Sequence, residues 1–163
     1  MTNRDERAKW AFLLAAPRND ARDPRIRRLA GYLWQCCAGR EETFCHLAHA
    51  MCRDGIKYET DTARTGGEDV AGLTNTRLLL DSFSRGVDDC DASARLFVAL
   101  CLARNMSARM VAMWRGDPEV LAHVYGEVLL AGKWLPVECT LRRARVGDPP
   151  LEVPRERDGT WLR

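Results

Sequence analysis

The chain has 163 residues, of which 46% are hydrophobic and 29% charged, and its net charge at neutral pH is +2. This length suits one globular domain with a buried core, and the near-balanced charge argues against a nucleic-acid partner. The longest apolar runs are too short to span a membrane, so no membrane partner is expected. The first ten residues mix acidic and basic side chains and lack the apolar stretch of a secretory signal, so we expect a cytoplasmic protein.

Helices are expected to dominate the first third of the chain. Apolar periodicity and capping residues predict them over residues 5–16, from Pro24 to near Gly39, and from about Glu41 to Gly55. Pro17 and the polar residues after it are expected to end the first of these helices. Asp23 followed by Pro24 is an N-cap and first-turn pair, and Gly55 is expected to be a left-handed C-cap. Residues 1–22 are interpreted as an N-terminal arm.

The middle of the chain is predicted to be less regular. The expected order is an extended stretch in "GIKYETD", a loop over residues 59–72 and a short helix over residues 74–83. A longer helix is then predicted to begin at Cys90 and to end at about Asn105. Asp88 or Asp89 can act as its N-cap.

Beyond this helix the apolar pattern changes from a period of about 3.6 residues to a period of about two. The stretches "ARMVAMW", "LAHVYGEVLL" and "KWLPVECT" predict strands of an antiparallel sheet. Residues 142–163 are rich in Pro, Arg, Asp and Gly and are interpreted as an irregular C-terminal tail that Trp161 could pin to the surface. Helices first and strands last is the order of an α+β domain, here over residues 23–141.

A two-residue turn at Ala131–Gly132 would pair Leu130 with Lys133. Counting outward from this turn places His123 and Glu138 on one face of the sheet as diagonal neighbours. Their Cβ atoms would be about 7 Å apart, which the two side chains can bridge. A register slip of one residue would move one of them to the other face.

A histidine oriented by a carboxylate is what a cysteine nucleophile requires, because the imidazole accepts the thiol proton and the carboxylate holds the tautomer. The helix that begins at Cys90 presents the positive end of its dipole there, which is expected to lower the pKa of the thiol. Packing of this helix start against the hairpin would complete a triad of Cys90, His123 and Glu138. Glu127 also lies on the face of His123, but it is about 13 Å away along the strand, so Glu138 is the better candidate. Trp134 shares this predicted face and could wall a cleft or pack beneath it.

The chain has seven cysteines, an odd number, so reduced thiols in a reducing compartment are the simpler interpretation. Cys45, His49 and Cys52 share one face of a predicted helix, which is compatible with a zinc site. Structural zinc sites normally present paired Cys-x2-4-Cys knuckles, which this sequence lacks. We therefore expect a helix face with incidental soft side chains, no metal and no cofactor.

Three blocks of the sequence together resemble the transglutaminase-like superfamily. They are "IKYETD", "GVDDCDASARLFVALCLARNMSARMVA" and "HVYGEVLLAGKWLPVECT", within residues 24–141. The resemblance implies a papain-like or transglutaminase-like core in which the central helix packs on the antiparallel sheet. By the same resemblance, Cys90 is the nucleophile, His123 the general base and Glu138 the orienting acid.

The sequence departs from the superfamily at two places. The superfamily usually has Asp where this chain has Glu138, and many members have Gly-Asp-Cys where this chain has Val87-Asp88-Asp89-Cys90. Members supply a second oxyanion donor from an upstream side chain, for which Asn75, Ser82 and Ser84 are the candidates.

The resemblance implies a cysteine-dependent acyl-transfer enzyme that acts on an amide bond of a protein or peptide substrate, with hydrolysis favoured over crosslinking. A second hypothesis is a non-enzymatic assembly or adaptor protein with the same fold, of a kind that phage structural regions might encode. The Glu138 departure and the acidic neighbours of Cys90 motivate this second hypothesis.

Overall fold

The computed structural model describes residues 3–58, 87–115 and 120–150. Its helices are α1 (Asn3–Asp20), α2 (Pro24–Cys36), α3 (Glu41–Gly55) and α4 (Cys90–Leu102), and its strands are β1 (Lys57–Tyr58), β2 (Val87–Asp88), β3 (Ala108–Arg115), β4 (Val120–Leu130) and β5 (Lys133–Val137). In these ranges no helix has the length and apolar character needed to cross a lipid bilayer. The predicted loop over 59–72, the predicted helix over 74–83 and Trp161 lie outside the described residues.

The predicted α+β class is confirmed, because the helices come first and an antiparallel sheet follows. Strands β3, β4 and β5 form this sheet, with β4 in the centre. A separate parallel pair joins β1 to β2, with Tyr58 opposite Asp88, and the sequence did not predict it. The pair brings the chain to the start of α4.

Helix α4 is the centre of the core. Every residue from Asp91 to Cys101 is buried, as expected for a helix that is covered on all sides. It contacts β4 on one side and α1, α2 and α3 on others. Its approach to β4 is close at Gly126, where a Cβ atom would lie 3.1 Å from Cδ1 of Phe97. A larger residue at this position would push the helix away from the strand that carries His123.

Helix α1 packs against α4 and extends beyond the predicted end. Its Leu13 and Asp20 are buried, and the Asp20 carboxylate accepts hydrogen bonds of 2.6 and 2.9 Å from Arg95 of α4. The prediction that Pro17 ends this helix is wrong, because α1 continues to Asp20. Pro17 has no N–H to donate, but its carbonyl still accepts a hydrogen bond of 2.9 Å from the N–H of Ala21, so the helix continues beyond it.

Of the two caps predicted for α2 and α3, the N-cap is confirmed and the C-cap prediction is wrong. Asp23 caps α2 as predicted, since its Oδ1 accepts the N–H of Arg25 at 2.8 Å. Gly55 is not a left-handed C-cap but the last residue of α3, and the next residue, Ile56, is extended with φ of −117°. The N–H of Ile56 donates to the carbonyl of Cys52 at 3.2 Å, so the chain enters β1 without a left-handed turn.

The β4–β5 hairpin has the predicted turn and register. Ala131 and Gly132 have φ values of 49° and 77°, which is the double left-handed geometry of a type I′ turn. The ladder starts at the Leu130–Lys133 pair and ends at the Gly126–Val137 pair. Glu138 is therefore the first residue after the paired region.

Residues 141–150 follow the hairpin as turns, without helix or strand. Two hydrogen bonds hold this segment against the domain. The N–H of Gly147 donates to the Pro136 carbonyl at 2.8 Å, and Nη1 of Arg53 donates to the Ala144 carbonyl at 2.8 Å.

Candidate active site

Helix α4 begins at Cys90, as predicted. Asp89 is its N-cap residue, but the Asp89 side chain makes no capping hydrogen bond, and its backbone carbonyl instead accepts from the Ser93 hydroxyl at 3.1 Å. The backbone N–H of Val124 in β4 is close enough to the Cys90 thiol to lower its pKa. Because Val124 directly follows His123, the thiol lies beside the strand position next to the histidine.

His123 and Glu138 meet as the hairpin register predicts. Nε2 of His123 donates to Oε2 of Glu138 at 2.6 Å, and the two residues are only 4% and 0% exposed. Oε1 of Glu138 accepts from the N–H of Thr140 at 2.8 Å and from its hydroxyl at 2.6 Å. Both carboxylate oxygens are thus engaged, which holds the side chain in one orientation. With Nε2–H committed to Glu138, Nδ1 is the ring nitrogen left to accept a proton.

A β-bulge lies next to His123. The β3–β4 ladder pairs Met113 with His123 and Trp114 with Leu121, which leaves Ala122 without an opposite residue. A bulge bends its strand and redirects the neighbouring side chains, and bulges are common beside active sites. The unbroken apolar pattern of "LAHVY" gives no sign of this feature.

Glu127, the other acid on the predicted face of His123, is bound elsewhere. Its Oε2 accepts a hydrogen bond of 2.7 Å from Nε of Arg109, and the Arg109 Nη2 lies 2.6 Å from the same oxygen as an ion pair. The Arg109 guanidinium in turn lies over the ring of Trp134, 4.2 Å from its centroid. Trp134 is 40% exposed and lines a groove of about 760 Å³, so it belongs to a groove wall and not to the core.

The Glu138 carboxyl is strongly acidic. Burial opposes its ionisation, but the hydrogen bonds from His123 and Thr140 outweigh burial and hold its pKa at about 2. Glu138 is therefore a carboxylate at neutral pH.

The Cys90 thiol is weakly acidic. Burial raises its pKa, and the charges of Asp89 and Asp91 raise it further, whereas the N–H of Val124 lowers it. Asp91 is only 3% exposed, so water screens its charge poorly. The prediction that the helix dipole leaves a lowered thiol pKa is thus wrong in its net direction. The resting thiol is therefore neutral at neutral pH.

His49 is part of this site, which its sequence pattern did not predict. Its Nε2 lies 2.8 Å from the backbone carbonyl oxygen of Glu138, 89 residues away, and the contact is buried. A carbonyl only accepts, so Nε2 must carry the hydrogen. Burial lowers the pKa of His49, so the ring is neutral at neutral pH. Helix α3 thus holds the backbone of the residue whose side chain orients His123.

Replacing His49 with leucine is expected to lower the free energy of unfolding by about 1–3 kcal/mol, since a buried acceptor loses this donor. It is also expected to slow alkylation of Cys90, because the Glu138 backbone is no longer held. His49→Gln is the matched control, since its amide group can place a donor close to the position of Nε2. Urea denaturation measures the change in stability, and alkylation mapped by mass spectrometry measures the change in the Cys90 rate. If His49→Leu and His49→Gln have the same stability and the same Cys90 alkylation rate, this role of His49 is wrong.

The remaining soft side chains near His49 show no metal site. Cys45 and Cys52 are buried free thiols. In the three described ranges, no group of three or more His, Cys, Asp or Glu side chains is placed to hold a metal ion. Burial raises the pKa of Cys52 and of its neighbours Cys101 and Cys139, which keeps these thiols protonated.

Among the described residues, the backbone N–H of Cys90 is the candidate oxyanion donor. The backbone N–H of Cys90 belongs to the first turn of α4, where N–H groups have no partner within the helix. Asn75, Ser82 and Ser84, the candidates for a second donor, lie outside the described residues.

Comparisons with solved structures show the class of fold. A candidate protease from Parabacteroides distasonis is 12% identical, with a TM-score of 0.56 over 77% of this chain and 25% of its own. A candidate cysteine protease from Cytophaga hutchinsonii is 17% identical, with a TM-score of 0.49 over 69% of this chain and 36% of its own. This chain therefore spans about a quarter and about a third of their lengths.

The family comparison covers the candidate site. The model of the transglutaminase-like superfamily matches residues 49–139, which is more than half of the chain and includes Cys90, His123 and Glu138. No curated protein sequence matches the chain. The predicted papain-like or transglutaminase-like core is confirmed. The chain belongs to the transglutaminase-like superfamily.

Proposed function

We propose that this protein is a cysteine-dependent acyl-transfer enzyme that hydrolyses an amide or peptide bond of a protein or peptide. Membership of the superfamily supports a cysteine-dependent enzyme. The observation that carries the proposal is the buried hydrogen bond of 2.6 Å between His123 and Glu138. The next strand residue, Val124, has a backbone N–H that lowers the pKa of the Cys90 thiol. This arrangement leaves one ring nitrogen free to act as a base toward the thiol.

In the proposed reaction, Nδ1 of His123 accepts the Cys90 proton as the sulfur attacks the carbonyl carbon. The N–H of Cys90 donates to the oxyanion of the tetrahedral intermediate, and the Glu138 carboxylate stabilises the imidazolium. The imidazolium then protonates the leaving amine, and a thioester forms on Cys90. Water, deprotonated by His123, hydrolyses the thioester and restores the thiol.

The groove beside Trp134 is the proposed place for part of the substrate. Tyr125, which lines it, is two residues from His123 on β4, and Trp134 and Pro136 supply further apolar surface. The Arg109–Glu127 ion pair lies in the same groove and can bond to peptide groups. The volume of about 760 Å³ is within the range of sites that hold small molecules or a few residues of a peptide.

A non-enzymatic assembly or adaptor role is the second candidate function. The raised pKa of the Cys90 thiol and the burial of Asp91 beside it favour this role, because both make a thiolate harder to form. The two candidates differ in whether His123 activates Cys90.

Alkylation with a limiting amount of iodoacetamide at pH 7, mapped by mass spectrometry, tests the proposal. Cys36 is exposed and is an internal control for half-buried Cys90. We expect Cys90 to be alkylated at least about 10-fold faster than Cys36. His123→Ala is expected to lower the alkylation rate of Cys90 about 100-fold and to leave the rate of Cys36 unchanged. His46→Ala removes an exposed histidine of the same chain and should change neither rate. If Cys90 reacts no faster than Cys36 and His123→Ala has no effect, the enzyme proposal fails.

A further inference from the structure

Five arginines line a concave surface at the far end of α4 from Cys90. Arg18, Arg22, Arg27 and Arg104 line a depression of about 520 Å³, and Arg28 joins three of them around an adjoining depression of about 390 Å³. These five residues are called the arginine cleft below. The cleft is roughly 20 Å from the candidate active site along the helix axis, since α4 has 13 residues.

The positive charge of the arginine cleft is not balanced by acids of the described residues. Among those residues, no carboxylate lines either depression. The nearest acids in sequence, Asp20 and Asp23, are bound to Arg95 and Arg25, which lie outside the cleft. Within the part of the chain that the structure describes, none of the five cleft arginines forms a salt bridge. Like charges brought together in this way repel each other unless an anion binds between them.

Arg104 is held in place by an aromatic contact. Its guanidinium carbon lies over the ring of Trp34, 4.9 Å from the centroid. Its Nε is buried and has no acceptor among the described residues. The side chain is therefore positioned by stacking, and no carboxylate of the described residues forms an ion pair with its guanidinium.

We propose that the arginine cleft binds a compact anion with two or more phosphate groups, such as a nucleoside triphosphate or inorganic polyphosphate. Guanidinium groups bind phosphate through paired N–H donors, and several of them converge here from α1, α2 and the residues after α4. The larger depression has the volume of a small-molecule site, about 300–1,000 Å³. A nucleic-acid backbone would need a longer basic track than these concave depressions provide. The inference goes beyond the proposed enzyme and does not depend on it.

Isothermal titration calorimetry of the full chain at low ionic strength tests the proposal. The probes are inorganic tripolyphosphate, ATP and orthophosphate. We expect tripolyphosphate to bind one to one and at least about 10-fold more tightly than orthophosphate, because more phosphate oxygens meet the arginines. Equal affinity for ATP and tripolyphosphate would assign the site to the phosphate chain alone, and tighter binding of ATP would assign it to a nucleotide. Absence of tripolyphosphate and ATP binding at about 1 mM would overturn the proposal.

Two double variants separate a specific cleft from general charge attraction. Arg22→Ala with Arg27→Ala is expected to weaken tripolyphosphate binding at least about 10-fold, whereas Arg142→Ala with Arg143→Ala should change it less than about 2-fold. All four residues are exposed, so both double variants should keep the thermal midpoint of the wild type. Equal weakening by the two double variants would overturn the proposal. So would a single-stranded oligonucleotide whose affinity rises with its length and which tripolyphosphate cannot displace.

Discussion

Replacing Glu138 with glutamine is expected to slow the His123-dependent reaction of Cys90 by about 10²- to 10⁴-fold, although the side chain keeps its size. Oε1 of Glu138 accepts the N–H of Thr140 at 2.8 Å, and a backbone N–H can only donate. The glutamine oxygen must therefore take this position. Its amide group then faces Nε2 of His123, where the carboxylate oxygen was.

This reversal changes the tautomer of His123. Facing an amide donor, Nε2 must accept, so its hydrogen moves to Nδ1. Nδ1 is the nitrogen that has to take the Cys90 proton, and a nitrogen that already carries a hydrogen cannot do so. The variant also lacks the negative charge that stabilises the imidazolium.

Glu138→Asp is the matched control, because it keeps the carboxylate and is the usual acid of the superfamily. It is expected to retain the rate to within about 10-fold, with the loss arising from its shorter side chain. The rate of Cys90 alkylation against pH and the ¹⁵N shifts of the His123 ring measure the two effects. If the glutamine variant reacts like the wild type, or if both variants lose the same rate, the orienting role of Glu138 is wrong.

Glu138→Gln is also expected to change how the free energy of unfolding depends on pH in acid. The carboxyl has a pKa of about 2 in the fold, against an ordinary value of 4.5. A carboxyl with a depressed pKa stabilises the fold fully above about pH 4.5, and this contribution is lost as the pH falls toward 2. The wild type should therefore lose on the order of 3 kcal/mol more than Glu138→Gln between pH 5 and pH 2 in urea titrations. If the free energy of unfolding changes equally with pH in the wild type and in Glu138→Gln, the Glu138 carboxylate does not contribute this stability.

Replacing Asp20 with alanine is expected to lower the free energy of unfolding by about 3–5 kcal/mol, because it removes one partner of a buried ion pair. The Asp20 and Arg95 side chains are 1% and 4% exposed, with the Arg95 Nε 2.6 Å from the carboxylate. The guanidinium left behind cannot reach water without opening the contact between α1 and α4. A loss of this size is a large part of the stability of a typical domain, about 5–15 kcal/mol.

The Asp54–Arg53 pair provides the control for this loss. It has a similar distance, 2.7 Å, but the Asp54 side chain is 56% exposed. Asp54→Ala is therefore expected to cost only about 0–1 kcal/mol. Replacing both Asp20 and Arg95 with leucine should restore part of the stability that Asp20→Ala loses, since neither charge of this pair is then left buried without the other. Guanidinium denaturation measures all three, and equal losses for Asp20→Ala and Asp54→Ala would contradict the prediction.

Several parts of the fold could be predicted because they depend on chemistry within a few residues. Asp23 and Pro24 are an N-cap and first-turn pair whatever surrounds them, and α2 starts there. Ala131–Gly132 sets the hairpin register, and strand periodicity then places His123 and Glu138 on one face. Predictions failed where distant contacts compete with local preference: α1 continues past Pro17, and Gly55 is followed by an extended residue that enters β1.

In the candidate site too, features set by local sequence could be predicted and features set by distant contacts could not. The positions of Cys90, His123 and Glu138 follow from a helix start and a hairpin register, and both can be read from the sequence. The direction of the Cys90 pKa could not be read, because it depends on the burial of the thiol and of Asp91. The role of His49 could not be read either, because its partner is 89 residues away.

The sequence by itself determined the α+β order, the helix that begins at Cys90 and the face shared by His123 and Glu138, because helix caps, tight turns and the strand period are local. The tertiary structure alone decided how acidic the thiol is and that arginines from α1, α2 and the end of α4 form one cleft. Both depend on the distance between groups that are far apart in the sequence and on how much of each group is exposed to water. Packing sets these distances and exposures, and no local sequence pattern predicts them.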